Sequence, residues 1–237
     1  MTLLTPDLLI ITDYNNKAVK MVDTSNQSWS DQLQVDDAPL DITHVTSTDF
    51  AVTIPDKQTI KLISISSNTL KTKLTVKVGG DCHGIGCYQG TLVVSYLRPA
   101  KLQILDMNGT VLTTIVGENI FQYPCYITCN RSSIYLSDCG MRTVTRLNWQ
   151  GDVIGSNSGM SDPRRMSLSD DGTVFVCDWA LNVIKEVAGD CSAGKVLLEK
   201  LNQPSTVCLC GETKKLYYSC RSFYETIDNF LYIYKLS

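Results

Sequence analysis

The sequence repeats one pattern six times at a nearly constant spacing. Each copy has a β-rich run, one small residue, a polar turn and a second alternating run. The small position falls at Thr12, Thr53, Ser95, Ser137, Cys177 and Ser219. The steps between these positions are 41, 42, 42, 40 and 42 residues, which is too regular for chance. Such a repeat limits the fold strongly, because each unit must bury its apolar faces against its neighbours.

The segments around each hairpin also have the character of β-strands. Upstream of four hairpins a Pro stands three residues before an apolar residue, in the segments 39–43, 124–128, 163–167 and 204–208. Cys82 takes the place of that Pro in the segment 82–86. Further strand-like runs follow at 69–78 and 110–116, and no long segment shows the 3.6-residue period of a helix. Each unit is therefore predicted to hold four strands.

Four-stranded units of about 40 residues predict an all-β fold, the six-bladed β-propeller. We expect one domain, 1–237, whose blades span about 1–36, 37–78, 79–120, 121–160, 161–201 and 202–237. On this register the first inner strand is clipped at its start, and the last blade has only three strands. We expect the chain to be the C-terminal piece of a longer protein whose closing strand precedes Met1. A complete protein with a three-stranded last blade is the alternative.

Composition and charge limit the partners. The net charge of −3 is too small for a global attraction to nucleic acid or to a membrane. The chain has no run of about 18 apolar residues, and its start lacks the pattern of a signal peptide. We expect a cytoplasmic protein with no DNA or membrane partner.

Ten cysteines are a high number for a chain of 237 residues. Their nearest spacings are C-x4-C, C-x3-C and C-x-C, which do not match the paired C-x2-C knuckles of a zinc ribbon. We expect reduced, buried thiols in an intracellular protein. The alternative is an extracellular domain with disulfides, in which the sequons at Asn26, Asn108 and Asn130 would matter.

The repeat resembles the NHL repeat. That family combines a Pro, a first strand, a second strand ending in Asp, and then Asn-x-Arg/Lys-Ile. The best matching pieces are 134–151, 174–187 and 8–23, where Asp138, Asp178 and Asp13 stand at the family's Asp. The chain departs from the family in lacking the Gly after Pro, and in having Ile54, Tyr96 and Cys220 at the other three Asp positions. The same fragments also resemble the YWTD propeller of lipoprotein-receptor ectodomains.

The NHL resemblance implies a biological context. NHL propellers often lie at the C-terminus of tripartite-motif (TRIM) proteins, behind RING, B-box and coiled-coil segments, where they bind protein or RNA. The ubiquitin-ligase chemistry of such proteins lies in the other segments. We therefore expect a non-enzymatic platform that recognises a protein partner, with an RNA-binding NHL propeller as the alternative.

One face of the predicted propeller collects basic and aromatic residues. Loops joining the second and third strands share this face with the loops that enter the inner strands. The loops between the second and third strands carry the binding candidates Tyr14, Lys17, Lys57, Arg98, Lys101, Arg142, Trp179, Arg221, Phe223 and Tyr224. The inner-strand entries add His83, Tyr126, Arg164 and Arg165. Arg with Trp or Tyr favours a protein interface or single-stranded RNA, although Asp36, Asp37, Asp81 and Asp162 on the same loops weaken the positive field.

No enzymatic constellation is evident. Six-bladed gluconolactonase-like lactonases bind a divalent metal through carboxylate and Asn side chains of several inner strands. Here the equivalent positions are Asp41, Gly84, Tyr126, Arg165 and Thr206. One carboxylate and one Arg do not suit a dication, so we predict no catalytic residue, metal or cofactor. The Asp13, Asp138 and Asp178 column is expected to bond backbone amides of the loops.

Overall fold

The structure is a computed structural model that describes residues 1–117, 119–220 and 230–236. These residues form 23 strands and one short 3-10 helix, Pro55–Lys57. All sheet pairings among them are antiparallel, and each sheet follows the order of the chain. The prediction of an all-β chain is confirmed.

The first compact unit, Met1–Gly117, holds three four-stranded sheets. Sheet 1 consists of β1 (Thr2–Thr5), β2 (Leu8–Asp13), β3 (Ala18–Asp23) and β4 (Ser28–Gln34). Sheet 2 consists of β5 (Ile42–His44), β6 (Asp49–Ile54), β7 (Thr59–Ser66) and β8 (Thr69–Lys77). Sheet 3 consists of β9 (Cys82–Tyr88), β10 (Thr91–Leu97), β11 (Ala100–Leu105) and β12 (Val111–Val116).

The second compact unit, Glu118–Ser237, holds two four-stranded sheets and one of three strands. Sheet 4 consists of β13 (Pro124–Cys129), β14 (Ile134–Asp138), β15 (Thr143–Leu147) and β16 (Val153–Asn157). Sheet 5 consists of β17 (Pro163–Leu168), β18 (Val174–Asp178), β19 (Val183–Val187) and β20 (Gly194–Leu198). Sheet 6 consists of β21 (Pro204–Cys210), β22 (Lys215–Cys220) and β23 (Leu231–Lys235).

The six sheets are the six blades of a β-propeller, so the predicted fold class is confirmed. Within the described residues the last sheet has three strands, as expected. β1 has four residues, against seven in β9. That the whole chain forms a single domain stays a prediction.

Apolar side chains fill the space between successive sheets of each unit. In the first unit, Ile10 and Met21 of sheet 1 pack against Phe50 of sheet 2. In the second unit, Phe175 of sheet 5 packs in one cluster with Leu216 of sheet 6. The second strands β14 and β18 are covered on both faces, and every one of their residues is buried. Full burial of one such side chain stabilises the fold by about 1.5–3 kcal/mol.

At four of the six small positions, Thr12, Thr53, Ser95 and Ser137, a hydroxyl hydrogen-bonds the backbone in or just before a first strand. Thr12 Oγ1 donates to Leu40 O at 3.2 Å, and Thr53 Oγ1 donates to His83 O at 2.7 Å, in each case across to the next sheet. Ser95 Oγ accepts instead from Gly84 N at 2.8 Å, within its own sheet. A residue at this position must be small enough to fit between strands and able to hydrogen-bond there, which explains its recurrence.

The expectation of reduced thiols is wrong for one pair of cysteines. Cys125 and Cys139 form a disulfide, with their Cα atoms 6.5 Å apart. The register of β13 and β14 shifts between Pro124 and Tyr126, so Cys125 is an extra residue without a partner in the ladder, next to the Pro124–Asp138 pair that Cys139 follows. Elsewhere burial raises the pKa of Cys82 to about 12 and that of Cys191 to about 11, so both stay protonated at neutral pH.

Candidate functional site

The buried carboxylate of Asp138 holds two loops of sheet 4 in place. Asp138 ends β14 and is fully buried. Its oxygens accept hydrogen bonds from the backbone N–H groups of Gln122, Tyr123, Gly140 and Met141, at 2.8–2.9 Å. The first two donors precede β13 and the last two follow β14, so one side chain fixes both segments. The expected role of the aspartate column is confirmed here.

Asp178 has the same role in sheet 5. It ends β18, is fully buried, and accepts from Ser161 N at 2.9 Å and from Asp162 N at 3.1 Å. It also accepts from Leu181 N at 3.4 Å and lies 3.4 Å from Lys185 Nζ. In sheet 5, as in sheet 4, one buried aspartate therefore fixes both the segment before the first strand and the turn after the second strand.

Asp13 anchors only its own turn in sheet 1. Its carboxylate accepts from Asn16 N at 3.1 Å and from Asn16 Nδ2 at 2.8 Å, and it forms an ion pair with Lys20. Partial burial acts to raise the pKa of Asp13, but the hydrogen bonds from Lys20 and Asn16 outweigh it and lower the pKa below its usual value. In sheet 2, Ile54 replaces the aspartate and the 3-10 helix makes the turn.

The turns of sheets 4 and 5 lie next to each other. Cys139 Sγ in the turn after β14 is 3.6 Å from Pro163 O at the start of β17. Three apolar side chains on these turns, those of Tyr123, Met141 and Leu181, are between 41% and 49% exposed. We call this surface the sheet 4–5 patch. It is defined by Tyr123, Met141, Arg142, Arg164, Trp179 and Leu181.

Arg164 is held in a fixed position within the sheet 4–5 patch. Its Nη2 lies 2.7 Å from Asp162 Oδ2, and its guanidinium carbon lies 5.5 Å from the centre of the Trp179 ring. The backbone N–H of Trp179 donates to Asp162 O at 3.0 Å. A guanidinium over an indole face is attracted by the ring quadrupole. The patch thus combines a fixed cation and aromatic ring with exposed apolar side chains.

Two basic candidates of the first unit, Lys17 and Lys57, form ion pairs with Asp37. Lys17 Nζ lies 2.8 Å from Asp37 Oδ1, and Lys57 Nζ lies 3.5 Å from Asp37 Oδ2. The hydrogen bond from Lys17, the largest cause, and that from the backbone of Ala38 lower the pKa of Asp37 to about 2. Asp37 in turn raises the pKa of Lys17. These lysines are therefore poor candidates for binding phosphate.

The remaining predicted site residues are dispersed. Tyr14 and Arg98 are exposed in their turns, and Lys101 Nζ lies 4.6 Å from the centre of the Tyr96 ring. His83 and Tyr126 are half-buried, and Arg165 is buried. Three further candidates lie outside the described residues: Arg221, Phe223 and Tyr224. Among the described candidates, Arg142, Arg164 and Trp179 belong to the sheet 4–5 patch.

Three residues of the patch, Tyr123, Met141 and Leu181, are not among the predicted binding residues. Leu181 stands three residues after Asp178, as Met141 stands three residues after Asp138. An apolar residue at this same place in both turns is a signal that the sequence offers. Tyr123 directly precedes Pro124, so it belongs to the segment that Asp138 fixes.

The clefts of the second unit lie away from the patch. One, of about 420 Å³, is lined by Asn157, Lys185 and Cys191 among others. Another, of about 570 Å³, is lined by Tyr135, Arg146 and Asp190 among others. Neither is lined by a residue of the sheet 4–5 patch. The patch is an open surface, which suits a macromolecule better than a small ligand.

The described residues contain neither a candidate metal centre nor a candidate membrane-spanning helix. Nowhere in 1–117, 119–220 and 230–236 do three or more His, Cys, Asp or Glu side chains gather as a metal site would need. The same ranges contain no helix with the length and apolar character needed to cross a membrane.

Comparison with known proteins identifies the fold alone. No protein-family model matches the sequence, and no curated protein matches it either. Among solved structures, the chain is similar to streptogramin B lyase, with 14% identity, a TM-score of 0.73, and coverage of 100% of this chain and 82% of that one. It is also similar to Kuenenia stuttgartiensis hydrazine synthase, with 12% identity, a TM-score of 0.72, and coverage of 100% and 94%. A third, a functionally unknown protein from Desulfotomaculum acetoxidans, has 15% identity, a TM-score of 0.68, and coverage of 97% and 79%.

Proposed function

We propose that the chain is a non-enzymatic binding platform whose sheet 4–5 patch recognises a protein partner. The observation that carries this proposal is the pair of turns fixed by Asp138 and Asp178, which present Met141 and Leu181 to solvent at equivalent positions. A turn that is already rigid loses little backbone conformational entropy on binding. Binding sites are commonly built from loops on a rigid scaffold.

The residue types of the patch support a protein partner. Tyr, Trp, Arg and Met are enriched in the centres of protein interfaces, and Trp, Tyr and Arg dominate their binding energy. Tyr123 and Trp179, in the loops of sheets 4 and 5, and Arg164, at the start of β17, supply these side chains. The NHL resemblance extends the proposal to a TRIM-type protein of the cytoplasm, with a link to the ubiquitin pathway.

RNA is the second candidate, and one observation favours it. The Arg164 guanidinium over the Trp179 ring, in a patch that also contains the exposed Arg142, resembles the stacking platforms that hold single strands. The ion pair of Arg164 with Asp162 weakens this candidate, because it offsets the charge that would meet a phosphate.

The metal-dependent lactonase alternative gains no support from Asp41. The Asp41 carboxylate accepts from Ile42 N at 2.8 Å and from Ile85 N at 2.9 Å. Both oxygens of the one inner-strand carboxylate are thus already engaged by backbone amides. That the chain is not an enzyme stays a prediction.

A capture experiment tests the proposed function. The immobilised chain is incubated with cell extract, with and without ribonuclease, and compared with the double variant Met141→Glu/Leu181→Glu. The matched control is Val111→Glu/Leu112→Glu, two exposed apolar residues of β12.

We expect the patch variant to capture at least about tenfold less of the partner than the unmodified chain, since two apolar anchors are replaced by charges. The control variant should keep the partner, and ribonuclease should have no effect. Loss of capture with ribonuclease would favour the RNA candidate. A patch variant that keeps every partner would refute the proposal.

A further inference from the structure

Sheets 4 and 5 each connect the start of the first strand to the turn after the second strand. In both sheets, the Pro that opens the first strand pairs with the Asp that ends the second, and the register shifts just after this pair. We call the residue after the Pro and the residue after the Asp the joining pair of the sheet. In sheet 4 the joining pair is Cys125 and Cys139, bound as a disulfide. In sheet 5 it is Arg164 and Trp179, whose guanidinium carbon and ring centre lie 5.5 Å apart, so the same connection is covalent in one sheet and non-covalent in the other.

The disulfide lies within the sheet 4 half of the sheet 4–5 patch. Cys139 N donates to Tyr123 O at 3.1 Å. The next residue, Gly140, lies so close to Tyr123 that a Cβ atom on Gly140 would come within 2.6 Å of the Tyr123 ring. Met141 follows directly in the same turn. A movement of Cys139 would therefore displace the exposed side chains of Tyr123 and Met141.

The surroundings of the two sulfur atoms suit thiols as well as the disulfide. Cys139 Sγ lies 3.6 Å from Pro163 O, so in the reduced chain its thiol has a hydrogen-bond acceptor without moving. Cys125 is only 5% exposed, a place that suits a thiol, which packs as a small apolar group. The four backbone hydrogen bonds to Asp138 do not involve sulfur, so reduction should loosen the turn without unfolding the sheet.

The other cysteines suit a reducing environment. All ten cysteines lie in the described ranges, and eight of them remain thiols, five of these buried. Where thiols are kept reduced, a disulfide is usually transient and acts in catalysis or redox sensing. Cys139 is half-buried whereas Cys125 is buried, so a reductant has access to the bond at Cys139.

We propose that Cys125 and Cys139 form a reversible thiol–disulfide site, at which a dithiol reductant releases the sheet 4 half of the patch and weakens partner binding. This proposal rests on the proposed function of the patch. A thiolate of the reductant attacks Cys139 Sγ, the S–S bond breaks, and Cys125 leaves as a thiolate that takes up a proton. The second thiol of the reductant then loses its proton and attacks the reductant's own sulfur in the mixed disulfide, which releases Cys139 as a thiolate that also takes up a proton. The protein disulfide thus gains two electrons and two protons, and the dithiol becomes a disulfide.

Reduction should affect the two halves of the patch differently. Tyr123, Met141 and Arg142 lose the covalent connection beneath them, whereas the contact of Arg164 with Trp179 does not depend on the redox state. A partner that contacts both halves then meets a less ordered surface, and ordering this surface costs affinity. Reduction should therefore weaken binding rather than abolish it.

Thiol counting and amide hydrogen exchange test the proposal on the full chain, before and after incubation with dithiothreitol and without partner. Alkylation and peptide mass spectrometry should find two further thiols, at Cys125 and Cys139. We expect the amides 122–123 and 140–141 to exchange at least about fivefold faster in the reduced chain, because the bond that closes their loop is gone. The amides 161–162 and 181 are held by Asp178 and should exchange at an unchanged rate, as an internal control.

Two variants accompany the chemical reduction. Cys139→Ser cannot form the disulfide, so its patch should exchange as in the reduced chain, with or without dithiothreitol. The matched control Cys87→Ser replaces a half-buried thiol of β9 and should respond as the unmodified chain does. Capture of the partner by the unmodified chain should fall about fivefold on reduction, and capture by Cys139→Ser should be equally low in both conditions.

Two results would overturn the proposal. The first is that dithiothreitol yields no further thiol in the folded chain, or that the amides 122–123 and 140–141 exchange at the same rate in both states. The second is that reduction leaves capture unchanged while Met141→Glu/Leu181→Glu still abolishes it, since the patch would then bind its partner without this regulation. A double variant that captures as the unmodified chain does would refute the proposed function instead, and the exchange rates would still decide whether the disulfide fixes these loops.

Discussion

At the scale of single residues, one position of the repeat decides how rigid a turn becomes. Where Asp138 and Asp178 end the second strand, a buried carboxylate collects backbone donors from two loops. Where Ile54 stands at that position, the chain makes its turn with a 3-10 helix. The presence of the carboxylate thus explains why the candidate surface lies on sheets 4 and 5.

Replacement of Asp138 by Ala should therefore be costly. Four backbone N–H groups would lose their acceptor, and we expect the free energy of unfolding to fall by about 3 kcal/mol. Urea-induced unfolding at neutral pH measures the change. The control Asp170→Ala, an exposed aspartate in the turn before β18, should change stability by less than about 0.5 kcal/mol. Equal effects of the two substitutions would contradict the anchor role.

The lowered pKa of Asp37 predicts a pH dependence of stability. Its pKa is about 2 in the folded chain against the usual 3.8, so its ionised form is favoured by folding. This contribution is complete above about pH 4 and is lost as the pH falls through 2. Asp37→Asn should lower the melting temperature at pH 7 by about 1–3 °C, and by less at pH 2. The control Asp7→Asn, an exposed aspartate, should show no such difference. An effect of Asp37→Asn that is the same at both pH values would contradict the ion pairs with Lys17 and Lys57.

The same residues show how far the sequence could predict the site. The aspartate column was predictable, because a regular repeat places Asp138 and Asp178 at the same point of the same turn. The ion pairs of Asp37 were anticipated only as a weakening of the positive field. Which lysines pair with Asp37 depends on the distance between neighbouring turns in the fold, and the sequence pattern does not give that distance.

At the scale of elements, hydroxyl groups connect one sheet to the next in the first unit. Thr53 Oγ1 on β6 donates to His83 O on β9 and accepts from Asp41 N at 3.0 Å. The repeat spacing predicts this column of small residues, because a small residue recurs at every step of the repeat. The spacing does not show which group donates each hydrogen bond. Thr53 Oγ1 donates to His83 O, whereas Ser95 Oγ accepts from Gly84 N.

Thr53→Val should weaken the junction of sheets 2 and 3. Valine has nearly the same shape but leaves both hydrogen bonds unmade in a fully buried place. We expect a loss of about 1–2 kcal/mol in the free energy of unfolding, measured by denaturant titration. Thr113→Val, on an exposed position of β12, is the matched control and should be neutral within about 0.5 kcal/mol. An unchanged free energy of unfolding for Thr53→Val would show that the Thr53 hydroxyl does not stabilise the junction of sheets 2 and 3.

The disulfide of sheet 4 marks a limit of prediction at this scale. The sequence predicts buried, reduced thiols for Cys125 and Cys139. Their approach depends on an irregular register between Pro124 and Tyr126, which hydrophobic periodicity does not reveal. A hairpin that carries one Cys near each open end is the signal that could have indicated it.

At the scale of the whole molecule, the repeat step predicted the fold, but the fold leaves the function open. Streptogramin B lyase and hydrazine synthase have names that denote different activities, yet both match this chain with TM-scores above 0.7. Function on such a scaffold depends on the residues of its loops. The central claim therefore concerns the sheet 4–5 patch, where Asp138 and Asp178 fix the loops that carry Met141 and Leu181.

Amide hydrogen exchange of the full chain, with and without the captured partner, tests this claim most directly. The account predicts that the partner protects the segments 122–123, 139–142 and 179–182. Protection confined to the turns 106–110 and 148–152, with the patch exchanging as in the free chain, would contradict it.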